Sequence, residues 1–487
     1  LKDNEIGNKI INATKWSSIT EIAAKLVSPL TNMILARIIA PEAFGVVATI
    51  TMIISFADMF TDAGFQKYLV QHEFKDEQEK HRYANVAFLT NFAVAIFLWG
   101  GIALFSEQIA TLVGNKGLGD VVAIACVQLP LTAFSSIQMA LYRRNFDFKM
   151  LFWVRMCSLC IPIFITIPLA FLGLSYWSLI IGTIFMQISN AAILTIKSTW
   201  KPKLFYDVRV LKDMLSFSIW SLIEAISIWL TTWIDTFIIG SLLSDHLLGI
   251  YKTSTTMVNS LMAIVTASIV PVMFSALSRL QNNNEQFNRT YFKMQRIVSI
   301  LIFPLGIGVY LYSDLATQIL LGSQWSEASE VIGIWALTSA IMIVFGHFCS
   351  EVYRAKGRPK LSFLAQLLHL VVLVPVCIMG AKHGFWVLVY ARSWIRLELV
   401  LVHLILMKIV IEIPVLKTFR NVFPAAISAI VMGFLGYLLQ GLNEGVLWSL
   451  ASIIICTIVY FAVLYLFPNV RKKVNVLGNR LMSSRVK

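Results

Sequence analysis

Asp58 and Asp62 stand four residues apart in "ARIIAPEAFGVVATITMIISFADMFTDAGF", residues 36–65, a stretch that is otherwise almost wholly apolar. A carboxylate at the centre of a membrane costs about 2.5–3.5 kcal/mol on insertion scales, so such a pair points to a proton or cation site, or to a gate. Similar groups recur at helical spacing. Glu21, Lys25, Ser28 and Asn32 fall at steps of four, three and four and form one polar stripe. Thr51, Ser55, Asp58 and Asp62 form a second, Glu224, Thr231 and Asp235 a third, and Thr255, Asn259 and Thr266 a fourth. Glu21 and Lys25 are spaced to pair within their helix. Arg392 and Arg396 lie one turn apart, deep in another apolar run. The planar fork of arginine matches phosphate and carboxylate oxygens, so this pair points to an anionic substrate. The candidate substrate-binding residues are therefore Lys25, Asn32, Asn259, Arg392 and Arg396. The candidate ion-coupling or gate residues are Glu21, Asp58, Asp62, Glu224 and Asp235, serving H+ or Na+, with Asp62 placed for a cytoplasmic gate. The alternative is that these groups only join helix to helix, at about 0.6 kcal/mol per contact. No phosphate-binding Gly-rich loop, H-E-x-x-H or G-x-S-x-G occurs, so neither a catalytic set, a metal nor a cofactor is expected.

The elements that must hold these groups are membrane spans. Of 487 residues, 58% are hydrophobic and only 14% charged, against about 25% charged in soluble domains. Apolar runs long enough to cross a core of about 30 Å recur at 16–39, 43–65, 83–105, 118–141, 151–172, 175–196, 214–240, 247–274, 295–312, 328–352, 361–380, 384–408, 421–440 and 447–467. Fourteen spans are expected. The segment before Trp16 is polar and the first run is too long for a signal h-region, so no cleavable signal peptide is expected. The net charge of +14 invites a nucleic-acid reading, but its distribution argues otherwise. The two tails and the even-numbered connections hold 32 of the Lys and Arg residues, whereas the odd-numbered ones hold only Lys116 and Lys382. This positive-inside pattern places both termini in the cytoplasm and makes the charge a matter of topology. The remaining cations Arg37, Arg155 and Lys252 lie within two turns of span ends, where they can snorkel. His347, His369 and His403 are scattered on different spans and read as packed or interfacial residues. All six cysteines fall in apolar runs, and the C-x-x-C of Cys157 and Cys160 reads as two small hydrophobes.

The chain repeats itself. Arg37–Val47 aligns with Ser241–Tyr251 at an offset of 204, with Gly45 on Gly249. Leu141–Lys149 aligns with Val352–Lys360 at an offset of 211, with Tyr142-Arg143 on Tyr353-Arg354. Six spans per half give the halves one orientation, related by a pseudo-two-fold along the membrane normal. The expected organisation is an all-α polytopic membrane protein: an N-lobe over 1–200, a basic cytoplasmic linker over 201–213, a C-lobe over 214–410, and two further spans with a basic tail over 411–487. Matching polar stripes in both halves suggest a shared aqueous cavity. No connection exceeds about 20 residues, too short for a soluble catalytic domain. This is a transporter plan and not an enzyme's.

Leu35, Arg37, Pro41, Phe44, Gly45, Phe60, Asp62, Gly64, Phe65 and Leu69-Val70-Gln71 form a pattern that resembles the first hairpin of Wzx-type polysaccharide flippases, within the multidrug/oligosaccharidyl-lipid/polysaccharide exporter superfamily. "YRRNFDFK", from Tyr142 to Lys149, is similar to the same branch. The resemblance implies an alternating-access flippase of the bacterial inner membrane. It would move an undecaprenyl-pyrophosphate-linked oligosaccharide to the periplasmic leaflet, with membrane lipids and polysaccharide polymerase machinery as partners and no nucleic acid. Basic cavity residues would hold the pyrophosphate, and the uncharged last two spans would flank the lipid tail. The rival readings are a multidrug cation antiporter or a lipid II flippase of the same superfamily, and more remotely a membrane polysaccharide polymerase or ligase, for which the odd-numbered loops are short.

Overall fold

The computed structural model describes residues 2–471 except 63, 359, 444 and 469; the side chains of 2–11, 13, 14, 18, 22, 62, 216–224, 268, 271 and 275 also lie outside the described residues. The described residues form helices and turns without a strand. In order these are α1 (Lys2–Ile38), α2 (Pro41–Asp62), α3 (Phe65–Gln71), α4 (Glu77–Leu104), α5 (Ser106–Leu112), α6 (Gly119–Ala125), α7 (Gln128–Arg144), α8 (Phe148–Ile161), α9 (Ile167–Phe171), α10 (Tyr176–Lys197) and α11 (Val208–Leu242). There follow α12 (Asp245–Arg279), α13 (Asn284–Leu311), α14 (Ser313–Leu320), α15 (Ala328–Met342), α16 (Cys349–Ala355), α17 (Lys360–Lys382), α18 (Phe385–Trp394), α19 (Arg396–Val410), α20 (Val415–Gln440) and α21 (Val446–Leu466).

Local chemistry sets many of these ends. Pro41 opens α2, where a missing N–H costs nothing. The Asp76 carboxylate accepts from the Glu79 N–H at 2.6 Å to cap α4, and Asn283 caps α13 by accepting from the Gln286 N–H at 3.0 Å. Among the described residues twelve helices are long and apolar enough to cross a membrane, or thirteen when the bent pair Asp245–Ala267 and Val272–Arg279 counts as one span. The other run expected to span, 384–408, is broken at Ile395 into α18 and α19, neither of them long enough alone.

The chain packs as two compact units, Leu1–Thr253 with Leu370–Leu388, and Ser254–His369 with Val389–Lys487. These units follow packing and not the sequence repeat. In the first, α11 lies along α2: Phe56 and Trp229 stack with ring centroids 4.9 Å apart, and the Trp229 indole donates to Ser55 Oγ at 2.9 Å. Its core includes Phe65, Leu69, Phe88, Ile137 and Trp200 between α3, α4 and α7. In the second, α20 and α21 dock on α13. Asn421 accepts from Arg296 Nη2 at 2.7 Å and donates to the Phe292 carbonyl at 2.8 Å, and the Tyr460 hydroxyl donates to the Ile300 carbonyl at 2.8 Å.

The repeat surfaces in one contact of the first unit. The starts of α2 and α12 meet backbone to backbone. A Cβ at Gly45 would overlap the Asp245 carbonyl, and one at Gly249 would overlap the Pro41 carbonyl. Glu42 Oε1 lies 2.7 Å from His246 Nδ1. Pro41, Glu42 and Gly45 correspond to Asp245, His246 and Gly249 at the offset of 204. Such reciprocal contacts between equivalent positions are the pattern a local two-fold gives.

Candidate functional site

In the second unit, three of the residues singled out by type converge on a fourth that was not. The Arg396 guanidinium carbon lies 4.3 Å from the centroid of Trp335, and that of Arg392 lies 5.3 Å away. Trp335 donates its indole N–H to Asn259 Oδ1 at 3.1 Å. Arg396 Nη1 donates to Ser339 Oγ at 2.8 Å, one turn along α15 from Trp335. Arg392 closes the last turn of α18, where the helix dipole favours a cation. Arg396 opens α19, where it does not, so aromatic stacking and the serine hydroxyl hold it there. Arg392 is only 8% exposed while Arg396 is half-buried. Further along α19, Glu398 Oε2 lies 2.7 Å from His369 Nδ1 on α17, and His403 packs on Tyr353 of α16.

Each cation–π contact is worth about 0.5–2 kcal/mol. Trp335→Leu removes two of them together with a satisfied indole N–H. It is expected to lower the thermal unfolding midpoint by several degrees; an unchanged midpoint would mean that the stack contributes no stability.

The first unit holds the candidate acids. Asp235 on α11 is 4% exposed, and its carboxylate accepts from the Tyr251 hydroxyl at 2.7 Å and from the Thr236 N–H at 2.7 Å. Lys252, expected to snorkel, instead turns onto α11. Its ammonium donates to Thr236 Oγ1 at 3.1 Å and sits 3.9 Å from the Trp233 ring centroid. Asp58 is half-buried and accepts from Thr61 Oγ1 at 3.0 Å. Asp62 ends α2 and Glu224 lies on α11, but both side chains are outside the described residues. On α1, Glu21 is exposed while Lys25 and Asn32 are half-buried. The ion pair expected between Glu21 and Lys25 is not formed, since their spacing permits contact without requiring it.

Sequence reasoning missed Trp335, Ser339 and Tyr251. A tryptophan or tyrosine in an apolar helix has no distinguishing signal of its own. Only the four-residue steps from Trp335 to Ser339 and from Arg392 to Arg396, each within one apolar run, hinted at facing stripes. The described residues hold no cluster of three or more His, Cys, Asp or Glu side chains that would bind a metal ion.

An apolar cavity of about 430 Å³ also lies in the second unit, between α13, α14, α20 and α21, lined by residues such as Leu301, Leu305, Ile319, Ile453 and Phe461.

Known proteins give this geometry its context. The chain is 24% identical over 380 residues to the succinoglycan biosynthesis transport protein ExoT of Rhizobium meliloti (strain 1021), covering 78% of this chain and 76% of that one. It is 21% identical to the lipopolysaccharide biosynthesis protein WzxC of Escherichia coli (strain K12), covering 77% and 75%. Its fold resembles the inward closed conformation of the lipid II flippase MurJ, with a TM-score of 0.76 at 17% identity over 92% of this chain and 98% of that one. The sequence model of the polysaccharide biosynthesis proteins matches residues 34–330, more than half the chain and including the hairpin of Pro41, Gly45 and Asp62. The chain therefore belongs to the polysaccharide biosynthesis protein family.

Proposed function

We propose that this protein is a flippase that moves an undecaprenyl-pyrophosphate-linked oligosaccharide from the cytoplasmic to the periplasmic leaflet of the bacterial inner membrane by alternating access, for exopolysaccharide or lipopolysaccharide assembly. The observation that carries the reading is the Arg392–Arg396 pair stacked on Trp335 in an apolar segment. Two guanidinium groups held there by an aromatic face and a serine suit the oxygens of a phosphoryl head and repel an organic cation. Arg396, Arg392 and Asn259 bind the head, and Lys25 and Asn32 are the first unit's candidates for the sugar. The apolar cavity beside α20 and α21 suits an isoprenoid tail, which stays in hydrocarbon throughout. The chain performs no covalent chemistry; it supplies a polar path for a head that hydrocarbon rejects. Polymerase machinery consumes the product on the far side. Equilibrium binding to the purified protein tests this: retention of the pyrophosphoryl-linked oligosaccharide and not of ethidium supports the reading, and the reverse overturns it.

Coupling to H+ or Na+ falls to the buried carboxylates. Asp235, held by neutral donors from Tyr251 and Thr236, is the foremost site, and Asp58 the second. Glu21, Asp62 and Glu224 complete the coupling and gating set. Asp235→Asn keeps the shape and the hydrogen-bonding capacity but removes the charge. It is expected to leave downhill translocation within about twofold while abolishing the stimulation by an imposed ion gradient. Stimulation that survives in this variant would exclude Asp235 from coupling.

A further inference from the structure

The first unit contains a polar cavity of about 570 Å³, within the range of about 300–1,000 Å³ usual for small-molecule sites. Four helices line it. Thr132, Ser135, Ser136, Met139 and Arg143 present one face of α7, Gln187 and Asn190 come from α10, Gln66, Lys67 and Gln71 from α3, and Arg155 from α8. Three lining residues are cationic and none is acidic. Arg155 is exposed on this cavity and makes no hydrogen bond or ion pair among the described residues. Among the described residues Arg143 reaches only the Gln66 amide oxygen, at 3.3 Å, and the Met139 sulfur.

The repeat isolates what is special about this arginine. Its equivalent Arg354, 211 positions on, is paired with Glu351. The position equivalent to Glu351 is Ala140. One copy of the arginine is neutralised by an acidic neighbour; the other has no such pairing among the described residues.

The polar lining offers donors. Lys and Arg have no acceptor. Ser158 hydrogen-bonds to Asn190 Oδ1, and Asn190 Nδ2 donates to Gln187 Oε1 at 3.2 Å, which leaves Gln187 to present its amide N–H groups. Clustered like charges around one space repel each other, and an oxyanion relieves that repulsion while accepting from the cations and the Gln187 amide.

We infer that this cavity is an anion site that holds the pyrophosphate head of the lipid-linked substrate through Lys67, Arg143 and Arg155. Its lining belongs to the first unit alone and includes residues of the positive second and fourth connections, Lys67 and Arg143, the side on which the flippase reading loads the substrate. The identity of the ligand rests on the flippase reading; its negative charge does not.

The test measures binding to the full-length protein in nanodiscs of uncharged lipid. The probes are undecaprenyl pyrophosphate, inorganic pyrophosphate and phosphatidylglycerol. The double variant Arg143→Gln/Arg155→Gln is expected to bind undecaprenyl pyrophosphate at least about tenfold more weakly, the loss of two charge-assisted contacts. Arg354→Gln, whose arginine is already paired, is expected to leave binding within about twofold, and Arg143→Lys/Arg155→Lys to restore most of it. Inorganic pyrophosphate competing with the lipid would place recognition in the head. Equal binding by wild type and the double variant, equal weakening by Arg354→Gln, or equally tight binding of phosphatidylglycerol would overturn the assignment. Charge-dependent binding in a protein that translocates no lipid-linked sugar would uphold the site and remove the flippase reading. Translocation with binding insensitive to the double variant would do the opposite.

Discussion

Arg396→Ala is expected to lower translocation of a pyrophosphoryl-linked oligosaccharide by about 100-fold or more, while the protein still inserts and folds. A hydrogen bond from a charged donor is worth about 1.5–3 kcal/mol, and each 1.4 kcal/mol is a factor of ten. A guanidinium that contacts two phosphoryl oxygens therefore accounts for two to four orders of magnitude. Its structural share is smaller. Arg396 is half-buried at the start of α19, where it bonds to Ser339 and stacks on Trp335. Removing a cation from a helix N-terminus also relieves an unfavourable dipole interaction. Thermal unfolding should thus shift by only a few degrees. Arg396→Lys keeps the charge but loses the fork, and is expected to fall between the two. Wild-type translocation by Arg396→Ala would remove this arginine from substrate handling.

The second large effect is expected at the crossing of α2 and α12. Gly249→Val forces a side chain into the space of the Pro41 carbonyl, and Gly45→Val does the same at Asp245. Backbone cannot yield as a flexible side chain does, so the two helix starts must separate. If this contact closes and reopens in each cycle, either variant is expected to reduce translocation at least about tenfold. Each should also speed the labelling of a cysteine placed at Glu42 by a membrane-impermeant thiol reagent. Cys157 and Cys160 are exposed and must first be replaced. Unchanged labelling together with unchanged translocation would show that the contact has no part in the cycle.

Much of this was legible in the sequence because the membrane simplifies the code. Apolar run length located most of the expected spans, thirteen of fourteen when the bent pair counts as one, and the cation distribution supplied the expected topology. The membership of the polysaccharide branch was visible in the Pro41–Gln71 pattern and is matched by the family model over 34–330. The arginine pair stood out because charge in hydrocarbon is expensive, and the structure places both arginines on one ring. Other features have no local signature. The break at Ile395 occurs in "SWIRLE", which contains neither proline nor glycine. Trp335 looks like any tryptophan in an apolar helix. The cavity beside Arg143 joins residues from four helices spread over more than a hundred positions, from Gln66 to Asn190, and each of its cations, taken alone, reads as a loop or interface charge. The packing of α11 along α2 likewise depends on side-chain fit, through Trp229 and Ser55, and not on any pattern within either helix.

The most direct measurement is translocation in proteoliposomes, with a lipid-linked pyrophosphoryl oligosaccharide and a cationic dye assayed in parallel, with and without an ion gradient. The sugar lipid should cross between leaflets and the dye should not, and Arg396→Ala should abolish the crossing. Dye efflux without movement of the sugar lipid would contradict the flippase assignment and identify a multidrug antiporter.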